Sequence, residues 1–193
     1  MGFNPPYSSH HGGIWERQIR TIRKVLDGIL TEQTLTDESL LTLMCEVENI
    51  INSRPLTTVS SDSNDLNPIT PNLLLNAKGN NSEYGKFHAT DVYSKKRWRQ
   101  IQYLSDLFWK RWRSEFLKTI QKRNKWFKKK ENVKIDDIVL ICDNNSPRCQ
   151  WPLGRIVEVK TSKDGNVRSV SVLTKNGMVQ RPISKIIVIT NFM

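Results

Sequence analysis

Glu16 is the one carboxylate whose neighbours could turn it to metal chemistry. The run Asn4-Pro5-Pro6-Tyr7-Ser8-Ser9-His10-His11-Gly12-Gly13-Ile14-Trp15-Glu16-Arg17 passes from a rigid Pro-Pro, through polar residues and a diglycine, into a helical pattern. The diglycine lets a backbone turn sharply or pass close to a ligand. An acid held next to such a loop is a candidate metal ligand. It is also what an ordinary helix N-terminus carries, since acids there suit the macrodipole. Arg20, Arg23 and Asp27 follow Glu16 at helical steps of four, three and four, so they share its face. That face reads either as a surface ion-pair ladder or as a metal ligand whose flanking cations hold phosphates. His10 and His11 are adjacent and point apart, and His88 is isolated, which argues against a zinc site. No phosphate-binding glycine loop, nucleophile elbow or Cys-x-x-Cys occurs.

Charge gives the broader direction. The 193 residues carry a net charge of +11, unevenly spread. Residues 1–85 hold 6 Lys/Arg against 10 Asp/Glu, a net of −4. Residues 86–135 hold 16 against 4, a net of +12, and residues 136–193 hold 8 against 5, a net of +3. A basic block interleaved with Trp and Phe points to a polyanion, most often nucleic acid. No apolar run is long enough to span a membrane, and the N-terminus has neither the basic nor the apolar region of a signal peptide. Cys45, Cys142 and Cys149 form no paired pattern, in keeping with a reducing compartment.

The elements that must position these residues follow from periodicity. A first helix is expected from about Ile14 to Thr31, with Trp15, Ile19, Ile22, Leu26 and Ile29 as its apolar stripe. A second runs from Asp37, capped by Thr36, to about Ser53, with Leu40, Leu43, Met44, Val47, Ile50 and Ile51 facing a core. Pro55 stops it by biasing Arg54 out of the helical region. A polar loop leads to Pro68-Ile69-Thr70-Pro71, an extended approach to one short helical turn. Residues 77–92 read as a linker. A long basic helix is expected from about Tyr93 to Phe127, with Trp98, Ile101, Leu104, Phe108, Trp112, Phe116 and Ile120 packed and the cations outward. The last sixty or so residues change to strand period, with strands at 138–141, 155–159, 167–173, 178–180 and 183–189. Asp164-Gly165 and Asn176-Gly177 are hairpin signals. The fold class is α+β: helices over 1–76, a linker over 77–92, a basic helix over 93–130, and a small five-stranded barrel, SH3-like or similar, over 131–193.

At this point the motifs resemble a known family. Asn4-Pro5-Pro6 through His11-Gly12-Gly13-Ile14-Trp15-Glu16 looks like the end of the integrase catalytic core of LTR retrotransposons. Asn52-Ser53-Arg54-Pro55-Leu56-Thr57, followed by Pro68-Ile69-Thr70-Pro71, is similar to the downstream part of that core. Arg97-Trp98, Phe108-Trp109-Lys110-Arg111-Trp112, Trp151-Pro152-Leu153-Gly154-Arg155 and Arg181-Pro182 look like the C-terminal region of BEL/Pao-type integrases. Their order covers nearly the whole chain.

The resemblance implies that the helices are the C-terminal remnant of an RNase H-like core, with Glu16 as the third acid of an Asp, Asp, Glu triad. In the intact family the triad holds Mg²⁺ or Mn²⁺ for polynucleotidyl transfer. Both aspartates would precede Glu16 on strands this sequence does not carry, so the chain alone is expected to be catalytically inactive and to bind no metal. The partners implied are retroelement ends and target DNA, and a second copy of the same chain, in the nucleus, although no targeting signal is present. Glu16 is then the catalytic and metal-ligating residue. The side chains expected to meet DNA are Arg17, Arg20, Arg23, Lys24, Arg54, Lys110, Arg111, Arg113, Lys122, Arg123, Arg155, Arg168, Arg181 and Lys185. A rival expectation is a chromatin- or peptide-binding barrel that uses Trp151.

Overall fold

The backbone is helical from Gly13, the second residue of the diglycine, because Ile22, Val25 and Ile29 recur at helical spacing and give one side something to bury. The computed structural model describes residues 13–31, 33–58, 68–76, 85–93, 97–120, 132–143 and 146–189. Four α-helices precede the sheet strands: α1 Gly13–Leu30, α2 Asp37–Asn52, α3 Pro71–Asn76 and α4 Arg97–Ile120. Two short strands, β1 Thr57–Thr58 and β2 Pro68–Ile69, pair antiparallel between α2 and α3. A 3-10 turn occupies Ala89–Tyr93, at the end of the stretch read as linker, so Tyr93, expected to open the basic helix, belongs to this turn. The chain divides into two compact units, residues 1–47 with 86–116, and residues 48–85 with 117–193.

The first unit is helical. Its buried side chains are Val25 and Ile29 of α1, Leu43 and Val47 of α2, and Ile101, Leu104, Phe108, Trp109 and Trp112 of α4. Polar contacts set the helices against one another. Gln102 Nε2 donates to Glu46 Oε1 at 3.1 Å, and Arg111 Nη1 donates to Gly28 O at 2.7 Å. A Cβ at Gly28 would stand 2.8 Å from that same guanidinium nitrogen, so the missing side chain makes room for the arginine. Thr36 caps α2 as expected, with its Oγ1 accepting from Ser39 N–H at 3.4 Å.

The apolar stripes are narrower than periodicity implies. Ile19 of α1, Leu40 and Met44 of α2 and Trp98 of α4 are all exposed. Trp98 lies in the first turn of α4, edge-on to Phe87 at 5.4 Å. The buried side of α4 is instead widened by Gln102, Ser105, Trp109 and Arg113. Trp15 has no described side chain, and the end of the basic helix that was expected to reach Phe127 lies outside the described residues.

The second unit joins the end of α2 to a sheet. Asn72, buried at the start of α3, donates to Asn49 O at 3.1 Å and to Asn49 Oδ1 at 2.9 Å. Five strands follow: β3 Ile138–Ile141, β4 Leu153–Thr161, β5 Val167–Thr174, β6 Gly177–Pro182 and β7 Ile186–Val188. They form one antiparallel sheet in the order β6-β5-β4-β3-β7, with a 3-10 turn at Ile183–Lys185 leading into β7. Val139, Ile141, Ile156, Val167, Val170, Val172 and Ile186 make its core with Val133. Gly154 sits in the register opposite Thr174, and a Cβ there would collide with Val172 Cγ1 and lie 2.8 Å from Leu173 O. Both hairpin signals are realised, with Gly165 at φ +74° and Gly177 at φ +112°.

Candidate functional site

The expected site residues fall on two surfaces, one in each unit. On α1 the helix turns Glu16, Arg17, Arg20, Arg23 and Lys24 outward, opposite Val25 and Ile29, so all five are exposed. The ion-pair ladder read for Glu16, Arg20, Arg23 and Asp27 is not made: among the described residues none of the four is ion-paired with another. Four cationic side chains therefore stand free on one exposed face, at the pitch of a helix. No group of three or more His, Cys, Asp and Glu is arranged to hold a metal ion among the described residues. Glu16 is a single carboxylate, and a two-ion centre needs more oxygen ligands than it can supply.

The α4 cations separate by role. Lys110 is exposed. Arg111 is exposed too, but its guanidinium is engaged by Gly28 O. Arg113 departs from the expected outward position. It is buried, and its guanidinium carbon lies 5.6 Å from the Trp109 ring centroid; elsewhere on the helix Trp112 stacks on Phe116 at 5.2 Å. The helical pitch puts residues 102, 109 and 113 along one edge of the packed face, and the Trp109 ring gives the Arg113 guanidinium a cation–π seat there. Lys122 and Arg123 lie outside the described residues.

In the second unit, Arg54 follows α2 by two residues and does not point freely outward. Its Nη1 donates to Ile51 O at 3.0 Å, and half-burial lowers its pKa. Arg168 is exposed and bonded to Asp164, with Nη2 3.1 Å from Oδ2. Arg181 Nη2 lies 3.5 Å from Asp143 Oδ2, and Lys185 is exposed. Arg155, on β4, is mostly buried and lies 3.7 Å from Asp136 Oδ1. Trp151 is buried, and its Nε1 donates to Ser53 Oγ at 3.3 Å, so its ring packs inside the unit and does not offer a peptide-binding face.

Sequence reasoning missed Asp136. It is a non-glycine residue at φ +72°, next to Arg155. The Asp136-Asp137 pair before the first strand was the available signal, since Asp tolerates left-handed turns. Residues 96–189, which take in α4 and strands β3 to β7, are similar to a protein family described as a family of unknown function (DUF5641). No curated protein matches the chain.

Proposed function

We propose that this chain is the DNA-binding portion of a retrotransposon integrase of the BEL/Pao type that its motifs resemble. The observation that carries the reading is the unpaired cationic face of α1, with Arg17, Arg20, Arg23 and Lys24 all exposed. Lys110 on α4 is a further exposed cation of the same unit, and Arg168, paired with Asp164, and Lys185 are exposed in the other unit. Cations spaced along a helix suit a regular row of phosphates, which they bind without reading sequence.

Two finer readings of the fold belong with this proposal. The strand order β6-β5-β4-β3-β7, with a 3-10 turn before the last strand, supports an SH3-like barrel. The order of α1, α2 and α3 behind Glu16 supports a remnant of an RNase H-like core. On this reading Glu16 is one acid of a three-acid centre, and its role within these residues is positional. Mg²⁺ or Mn²⁺ chemistry would need two more carboxylates. Purified chain given Mg²⁺ or Mn²⁺ and donor DNA ends is expected to join none of them, and robust joining would overturn that part.

Binding is tested by fluorescence anisotropy with a labelled duplex over a range of salt. Affinity should fall steeply as salt rises, on all sequences alike. Arg20→Glu with Arg23→Glu should lower the salt slope by about two units, since each phosphate contact accounts for roughly one. Binding that is insensitive to salt, or unchanged by that double reversal, defeats the reading.

A further inference from the structure

Arg155 is a guanidinium short of partners. Its side chain is 18% exposed, and its Nε is closed to solvent with no hydrogen-bond partner among the described residues. Among the described residues its one ion pair, Nη1 to Asp136 Oδ1, spans 3.7 Å, longer than a hydrogen bond. A group with five donors, held mostly out of water, is costly to leave in this state. The acid that faces it is unusual. Asp136 sits at φ +72°, and its backbone is pinned to the neighbouring strand by its N–H donating to Ile156 O at 2.8 Å. Its carboxylate is 76% exposed. The strained turn therefore holds a weakly engaged anion at the mouth of an unsatisfied cation. Across the sheet register, Leu173 lies opposite Arg155 and Met178 opposite Leu173. Both are exposed, so an apolar shelf extends from the guanidinium.

Building on the nucleic-acid reading above, we infer that Arg155 is a phosphate seat occupied in the free protein by the Asp136 carboxylate, an internal competitor that a nucleic-acid phosphate displaces. The phosphate supplies the short, bidentate acceptor that Asp136 does not. The sugar and base that follow it lie against Leu173 and Met178. Asp136 then tunes affinity: it keeps the seat charge-balanced when empty and must be moved aside when filled.

The test is a double-mutant cycle on the full chain. Asp136→Asn keeps a residue that tolerates left-handed backbone but removes the competing charge. It should raise affinity for a labelled oligonucleotide by about two- to fivefold, the weight of a surface ion pair. In an Arg155→Gln background the same change should raise it by nothing, and Arg155→Gln alone should reduce the salt slope by about one unit. An equal gain in both backgrounds means a general charge effect and overturns the inference, while leaving the DNA reading intact. A readout without variants comes from the Arg155 Nε–H resonance in the ¹⁵N spectrum of the wild-type chain. Titration with the oligonucleotide should shift it, and inorganic phosphate should shift it in the same direction at higher concentration. A resonance unmoved by both rejects the seat whether or not the chain binds DNA elsewhere.

Discussion

Single residues here show charge doing two different jobs. Asp164 is the clearest structural case. Asn166 donates to it from both its side chain and its backbone, Arg168 donates as well, and its pKa is lowered from 3.8 to about 2. A carboxyl whose folded pKa is depressed stabilises the fold above its ordinary value and loses that contribution as pH falls toward the folded one. The unfolding temperature of the wild type should therefore exceed that of Asp164→Asn near neutral pH. The gap should close as pH falls from 3.8 to about 2, a change measurable by circular dichroism. Trp151 makes the opposite point about an aromatic. Periodicity and the motif around it left open a ligand-facing role, but the ring is buried and bonded to Ser53. Trp151→Ala should cost about 3–5 kcal/mol in chemical denaturation, as large buried aromatics do. A variant that loses no stability would return Trp151 to the surface as a candidate contact.

At the scale of elements, most of the architecture is legible in the sequence. α1 and α2 start and stop within a residue or two of their expected ends, and the one short helical turn expected after Pro68-Ile69-Thr70-Pro71 is α3. All five expected sheet strands overlap their observed ranges, because β-branched runs and Asx-Gly turns are strong local signals. The fifth, expected over 183–189, opens as a 3-10 turn at Ile183–Lys185 and is a strand only over Ile186–Val188. β1 at Thr57–Thr58 was not legible, since two residues carry no period. Burial was harder than type. The count of cations on α4 put Arg113 outward, whereas the Trp109 ring on the same edge receives its guanidinium within the packed face. The site was legible as far as α1, where the helical step itself places Arg20 and Arg23 beside Glu16. Asp136 and Arg155 come together through strand pairing, which a one-dimensional pattern does not contain. Gly154 is a similar case, a glycine whose need appears only once β5 lies against β4. Gly154→Ala should destabilise the sheet by about 1–3 kcal/mol through its collision with Val172 and the Leu173 carbonyl. An alanine variant as stable as the parent would mean that β5 gives way without cost.

On the scale of the whole chain, the two units divide at points that do not follow sequence order. The unit that holds the sheet also takes residues 48–85, and Trp151 reaches Ser53 across 98 positions of sequence. A fragment of residues 132–193 should therefore keep its strand pairing but lose stability relative to the full chain. Trp151 emission should shift to the red as its indole meets water. A fragment as stable as the parent, with blue-shifted emission, would show that residues 48–76 add nothing to the sheet.

The pairing of β7 with β3 has a consequence for how the molecule comes into being. The first strand of the sheet is also its inner partner for the last, since Val139 pairs with Val188 and Leu140 with Ile187. On the ribosome, β3 emerges early and can pair with β4, yet its other edge stays open until residues 186–188 have been made. During that interval an exposed, fully apolar strand, Ile138-Val139-Leu140-Ile141, has an unpaired edge. Nascent chains arrested before residue 186 should therefore recruit hold-type chaperones, and chains released after residue 189 should not.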